Sequence, residues 1–162
     1  MVALSTSASL TPNTNGVSRY EVSTDAARLD MKAIHAFLSG TYWSLGIPLA
    51  IVERAIQNSV CVGAYMAGRQ IGFARMVTDK ATFAYLADVY ILEEHRGNGL
   101  SKRMMEGLLQ LQELQGLRRM MLATRDAHAL YEKFGFKALA APARFMELQN
   151  ANVYSQAAPK IE

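Results

Sequence analysis

A short polar turn joins an apolar run to an amphipathic helical pattern in ILEEHRGNGLSKRMMEGLL, residues 91–109. The turn contains Arg96, Gly97, Asn98 and Gly99, and the helix after it leaves its first backbone N–H groups without partners inside the helix. Those donors and the positive end of the helix dipole attract anions. Glycine lets the backbone approach a phosphate closely, and an arginine fork suits phosphate oxygens. The pattern predicts a site for a phosphate-bearing ligand, with a plain tight turn as the alternative.

The spacing of this turn excludes two common nucleotide motifs. A Walker A loop has four residues between its glycines and then Lys with Ser or Thr, which the segment lacks. A dinucleotide fingerprint has a third glycine at the position of Lys102. Five basic and two acidic residues lie between positions 96 and 119, so a phosphate-bearing ligand held by another motif fits the segment.

Two ordered motifs carry a resemblance to a known family. Arg96-x-x-Gly99-x-Ser101 resembles the Arg/Gln-x-x-Gly-x-Gly/Ala signature of the GNAT superfamily of acetyl-CoA-dependent N-acetyltransferases. The later segment ATRDAHALYEKFGF, residues 123–136, resembles that family's Ala-x-x-Leu-Tyr-x-x-x-Gly-Phe helix. The resemblance covers about residues 18–149. It departs from the family at Ser101, which replaces Gly or Ala, and at Thr124, where asparagine is often found.

The resemblance implies a binding mode for acetyl-CoA or coenzyme A. The pantetheine arm would lie along the main chain of Val89 and Ile91, and the Val89 N–H would polarise the thioester carbonyl, an oxyanion-hole role. Thr124 would stand near the same arm. The pyrophosphate would be held by the turn and the start of the helix, which comprise Arg96, Gly97, Asn98, Gly99, Leu100 and Ser101.

The resemblance also implies catalytic and acceptor residues. Tyr131 matches the family's tyrosine that protonates the departing thiolate, the alternative being a tyrosine packed in the core. Asp88 would bind the substrate ammonium or relay its proton, with a structural ion pair to a residue such as Arg75 as the alternative. Tyr85 is a second lining candidate on the same strand. Tyr42 and Trp43 lie in the loop that overhangs the family's acceptor site, although Trp43 could equally fold onto the helices as local core.

These residues predict transfer of an acetyl group to a primary amine of a small molecule or peptide, by direct attack in a ternary complex. A catalytically idle acyl-CoA binding or sensing module is the alternative, and a homodimer is possible. The three histidines have no metal-ligand spacing, so no metal is expected. A net charge of +3 is too small to indicate nucleic acid, and the absence of a spanning apolar run indicates no membrane partner. With no signal peptide in the first residues, we expect a cytoplasmic protein.

The elements that must position these residues belong to one mixed α+β domain. We expect a GNAT-type fold with a mostly antiparallel central sheet of about seven strands and about four helices. The predicted boundaries are a flexible tail over residues 1–17, the N-acetyltransferase domain over 18–150, and a second tail over 151–162. A strand–helix–strand unit around the turn should pair its strands in parallel. Asp126 should cap the last helix, FKAL and RFMEL should form a final hairpin, and Cys61 should be buried.

Overall fold

The computed structural model describes residues 19–155 and builds them around one sheet. Within that range the sheet has five strands in chain order, of which the first four form an antiparallel meander and the last pairs in parallel with β4. The strands are β1 Tyr20–Ser23, β2 Ser59–Met66, β3 Arg69–Thr78, β4 Phe83–Ile91 and β5 Arg119–Leu122. The helices are α1 Met31–Leu38, α2 Leu49–Gln57, α3 Leu100–Leu109 and α4 His128–Glu132. No helix in the described range is long and apolar enough to cross a membrane.

The two faces of the sheet are covered by different helices because the strand residues alternate in direction. One face packs against α3, where Met104, Met105 and Leu108 are fully buried against Val62 and Met76. The opposite face packs against α1 and α2 through another cluster, which comprises Ile34, Leu38, Val52, Ile56, Cys61, Phe73 and Tyr90. Cys61 is buried, as predicted.

Local sequence explains where the first two helices begin. Asp30 caps α1 by accepting a hydrogen bond from the Ala33 N–H at 3.0 Å, and its own N–H donates to Gln70 on β3 at 2.7 Å. Pro48 immediately precedes α2, where its missing N–H costs nothing. The hydrogen bond to Gln70 attaches the start of α1 to β3.

A β-bulge interrupts β4 at Asp88. Arg75 faces Ala87 and Phe73 faces Tyr90, so Ala74 alone spans both Asp88 and Val89. Asp88 has φ of +55°, a conformation that aspartate tolerates better than most residues. Because of the extra residue, Ala87 and Asp88 lie on the same face of the sheet as Arg75, and the alternation of β4 is reset beyond the bulge.

The parallel pairing of β4 with β5, connected through α3, confirms the predicted strand–helix–strand unit. The predicted seven strands are too many for the described residues. Residues 136–139 and 144–148, expected as a hairpin, form no strand there, and Pro142 opens a 3-10 turn between them. Two such short runs have too little cross-strand packing to stabilise an isolated pair.

The cap predicted at Asp126 is also wrong. Ala127 is the N-cap residue of α4, and its N–H donates instead to the Thr124 hydroxyl at 3.0 Å. Gly135, with φ of +86°, ends the segment after α4. The predicted tails fall mainly on residues 1–18 and 156–162, which lie outside the described residues.

Candidate active site

A cleft opens where β4 and β5 separate. Their pairing runs from Phe83 opposite Arg119 to Leu86 opposite Leu122, where β5 ends while β4 continues to Ile91. The cavity at this point has a volume of about 780 Å³. Its lining includes Tyr42, Trp43, Tyr85, Asp88, Val89, Thr124, Arg125, Asp126, Tyr131 and Gln149.

Beyond the bulge, every second residue of β4 points its backbone N–H and C=O groups toward this opening. The Leu92 N–H donates to the Ile71 carbonyl on β3 at 2.8 Å, so the polar groups of Ile91 point the other way. The Ile91 carbonyl accepts a hydrogen bond from Nε of Arg96 at 3.1 Å. Val89 lines the cavity itself. The strand therefore presents Val89 and the Ile91 N–H along the side of the cleft that β5 leaves open.

The glycine turn forms an open cradle at the start of α3. Gly97 and Gly99 have φ of +77° and +70°, and a Cβ on either would meet nothing within 4 Å. Asn98 stabilises the loop from within, because its Nδ2 donates to the carbonyls of His95 and Arg96 at 3.0 and 3.1 Å. The turn thus combines left-handed backbone with free space in front of it.

The first helical hydrogen bond of α3 joins the Arg103 N–H to the Gly99 carbonyl at 3.1 Å. The N–H groups of Leu100, Ser101 and Lys102 therefore have no acceptor within the helix. The Leu100 side chain is buried in the core, so this residue offers only its main chain to a ligand. These donors and the glycine cradle together form a region that can attract an anion.

The basic side chains around the turn are oriented differently from one another. Arg96 is attached to β4 through its Nε, as described above, which leaves its two terminal Nη groups without a partner among residues 19–155. Lys102 pairs with Glu106 at 3.5 Å on the exposed face of α3, and Arg103 donates to the Tyr20 carbonyl at 3.1 Å. Of these three cations, Arg96 is the one that borders the turn most directly.

Tyr131 of α4 lines the cavity. The residue is 7% exposed, and its ring contacts Phe136 edge-on with centroids 6.1 Å apart. In the described part of the chain no group forms a hydrogen bond with this hydroxyl. Burial raises the pKa of Tyr131, and the nearby Asp126 carboxylate raises it further. Tyr131 is therefore a neutral hydroxyl, able to donate a proton, at ordinary pH.

Asp88 has both carboxylate oxygens engaged. Oδ2 lies 2.5 Å from Nε of Arg75, and Oδ1 accepts a hydrogen bond from Nε1 of Trp43 at 3.1 Å. Arg75 in turn donates to the Ser59 hydroxyl at 3.1 Å. Of the two interpretations of Asp88, the structural ion pair is the one whose geometry is present.

Trp43 lies at the cavity wall rather than in the helical core, since 46% of it is exposed. Its ring meets Tyr42 edge-on at 4.9 Å, and Tyr85 lines the same cavity from β4. The structure thus brings the three predicted aromatic residues to one side of the cleft.

Sequence reasoning missed three polar cavity residues, Arg125, Asp126 and Gln149. The guanidinium carbon of Arg125 lies 3.7 Å from the centre of the Tyr42 ring. Asp126 was interpreted only as a helix cap. The available signal was position, because residues that follow the carboxyl end of a parallel strand commonly line a ligand site.

The chain is similar in sequence to a known protein family. Residues 31–136 match the sequence profile of the acetyltransferase (GNAT) family. This chain belongs to the acetyltransferase (GNAT) family. The matched region contains both the glycine turn and Tyr131, and the resemblance predicted from the two motifs is confirmed.

Individual relatives show the same family membership. A candidate acetyltransferase of Gibberella zeae is 39% identical, with 70% of this chain and 76% of that protein covered. The crystal structure of a candidate GNAT-family acetyltransferase from Xanthomonas campestris pv. campestris is 50% identical, with a TM-score of 0.80 over 84% of this chain and 96% of that one. The crystal structure of a candidate acetyltransferase with acetyl-CoA from Clostridium acetobutylicum shares the fold, with a TM-score of 0.56 and 19% identity over 80% of this chain and 94% of that one.

Proposed function

We propose that this protein transfers the acetyl group of acetyl-CoA to a primary amine of a small molecule or peptide, by direct attack in a ternary complex. The observation that supports this most strongly is the separation of β4 from β5 beside an open glycine turn. The opening would hold the narrow pantetheine arm of acetyl-CoA along β4. The pyrophosphate would then lie next to it, at the start of α3. The Clostridium structure with acetyl-CoA shares the same fold.

The donor would be held mainly by main-chain groups. The turn from Gly97 to Ser101 would bind the pyrophosphate through backbone N–H groups, with the Nη groups of Arg96 beside it. Val89 and Ile91 would face the pantetheine amides. Thr124 already accepts a hydrogen bond from the Ala127 N–H, so its hydroxyl proton remains available to a ligand. The ligand itself supplies the activated acetyl thioester.

The reaction delivers a proton to the departing sulfur and removes one from the amine nitrogen. The amine loses a proton to solvent, its nitrogen bonds to the acetyl carbon, and the carbon–sulfur bond breaks. The Val89 N–H would stabilise negative charge on the carbonyl oxygen. The Tyr131 hydroxyl would protonate the departing sulfur and recover a proton from water. Burial raises the pKa of Tyr131, so the hydroxyl is protonated at ordinary pH and has a proton to give.

The acceptor would lie against the aromatic residues Tyr42, Trp43 and Tyr85. Asp88 acts here as a positioning residue, since its carboxylate holds Trp43 and the bulge in place through contacts at 3.1 and 2.5 Å. With both oxygens engaged, it is a poor candidate for the direct proton acceptor. The amine proton therefore passes to water in the open cavity.

A coupled measurement of thiol release tests this function. Acetyl-CoA is incubated with the protein and a panel of primary amines, and acetylated amine is identified by mass. Thiol release in equal amount to acetylated product supports the transferase. An idle acyl-CoA binding module would instead bind acetyl-CoA without releasing thiol beyond the rate without protein, and that result would exclude the proposed activity.

A further inference from the structure

A stacked pair, Arg125 on Tyr42, spans the acceptor side of the cavity. The guanidinium carbon lies 3.7 Å from the ring centre. Tyr42 belongs to the α1–α2 loop and Arg125 follows β5, so the contact joins the two sides of the cleft. Stacking orients the guanidinium plane but leaves the N–H groups at its edge available for a ligand.

Arg125 keeps its full charge for the cavity. None of the three ion pairs found between residues 19 and 155 includes Arg125. The other arginine near the cavity, Arg75, is neutralised by Asp88 at 2.5 Å. A ligand ammonium group at the stacked face of Tyr42 would be repelled by the positive charge of Arg125. This side of the cavity therefore favours an anionic group with a single negative charge.

A negative charge lines the same cavity on the exposed residue Asp126. Asp126 has no salt-bridge or hydrogen-bond partner in the described range, and its field reaches the Tyr131 hydroxyl. The two charges have opposite signs and lie on consecutive residues that both line the acceptor space. A ligand with complementary charges would be oriented with its positive end toward Tyr131.

We propose that the acceptor is an amine that also carries a carboxylate, such as a free amino acid, with the carboxylate on Arg125 and the amine end directed by Asp126 toward Tyr131. A lone arginine fork matches one carboxylate in charge and in its two-point geometry. This inference rests on the proposed function, because the directed amine is the group that is acetylated.

Matched pairs of amines test it. Phenylalanine with phenethylamine, tyrosine with tyramine, histidine with histamine, and leucine with isoamylamine differ within each pair only in the carboxylate. Thiol release gives kcat/KM for each member, and calorimetry on CoA-saturated protein gives binding. A charge-assisted contact predicts a preference of about 10- to 100-fold for the carboxylated member in at least one pair.

Variants test whether the preference for the carboxylated amine depends on the contact between Arg125 and Tyr42. Arg125→Gln should reduce the ratio within the pair to about one, Arg125→Lys should keep part of it, and Tyr42→Leu should lower it more than Tyr42→Phe. Arg144→Gln removes the same charge at an exposed position outside the cavity and should leave the ratio unchanged. Stabilisation by CoA, measured on each variant, shows that the fold and the donor site are retained.

Two results would overturn the inference while the proposed function stands. One is equal or better turnover of the decarboxylated amine in every pair that reacts. The other is neither binding nor turnover of any amino acid by a protein that binds acetyl-CoA and acetylates other amines. Failure to bind acetyl-CoA at all would overturn the proposed function and this inference together.

Discussion

Asp88 of β4 and Arg75 of β3 form an ion pair at the point where the bulge interrupts their register, with Oδ2 2.5 Å from Nε. The two side chains are only 12% and 18% exposed. The second oxygen of the same carboxylate accepts from Trp43 of the α1–α2 loop. One carboxylate thus connects two strands and the α1–α2 loop. Asp88 therefore stabilises the structure directly and affects function through the residues that it holds.

Asp88→Asn should lower the free energy of unfolding by about 2 kcal/mol, because the partly buried guanidinium of Arg75 loses its counter-charge. Urea unfolding measures this. Glu21→Gln is the matched control, since it breaks the exposed pair between Glu21 and Arg28, and surface pairs contribute little. A variant Asp88→Asn with wild-type stability and a lost acidic limb in its pH–rate profile would show that Asp88 is the base after all.

Gly99→Ala should abolish stabilisation by CoA. A Cβ at this position occupies the space in front of the turn and disfavours φ of +70°. Wild type should gain about 2.7 kcal/mol at a ligand concentration of 100 times Kd, measured as a thermal shift.

Gly116→Ala is the control for this backbone effect, because Gly116 also has φ of +70° with open space around it but lies away from the helix start. It should lower the stability of the apo protein similarly and keep the ligand shift. An undiminished shift in Gly99→Ala would place the pyrophosphate elsewhere.

Tyr131→Phe should reduce kcat by about 10²- to 10⁴-fold with little change in KM for acetyl-CoA, because the hydroxyl acts in the transition state and the ring is retained. Steady-state kinetics across pH 6 to 10 measure this with any accepted amine. Equal kcat in both proteins throughout would reduce Tyr131 to a packing residue.

The pH dependence gives a separate test of the same hydroxyl. Burial and Asp126 both raise the pKa of Tyr131, so the acid stays protonated at alkaline pH and loses its proton only above its ordinary range. Asp126→Asn removes one cause and should move the alkaline fall in kcat to lower pH. Glu132→Gln, an exposed neighbour on α4, should leave it in place, and an identical shift in both variants would argue against a specific effect of Asp126.

Cys61 should make stability fall at alkaline pH. Burial raises the pKa of its thiol from 9.0 to about 12, so between these values the unfolded chain ionises while the folded thiol stays neutral. Above pH 9 this group should therefore remove about 1.4 kcal/mol of stability per pH unit.

Urea unfolding of wild type and Cys61→Ala from pH 8 to 11 isolates this contribution. Cys61→Ala should be less stable at pH 8, because it leaves a cavity, and the difference should shrink steadily above pH 9. A difference that stays constant up to pH 11 would mean that the thiol ionises equally in both states.

Much of the site could be predicted from local sequence. The glycine turn before α3 and the tyrosine of α4 lie in continuous motifs, where neighbouring residues specify the backbone that carries the chemistry. The amphipathic pattern after the turn predicted a helix there, and the structure buries Met104 and Leu108 on the inner side of α3. The predictions failed at residues 136–148, where short apolar runs resemble strands but Pro142 and weak cross-strand packing prevent pairing.

The sequence by itself determined the family, the order of the elements from β1 to α4, and the positions of the turn and of Tyr131. Only the tertiary structure decided that Asp88 pairs with Arg75, that Trp43 donates to the same carboxylate, and that Arg125 stacks on Tyr42. The physical reason is separation along the chain. A turn or a helix face is specified by residues a few positions apart. These contacts instead join segments that meet only after the sheet has formed and a bulge has reset the alternation of side chains along β4.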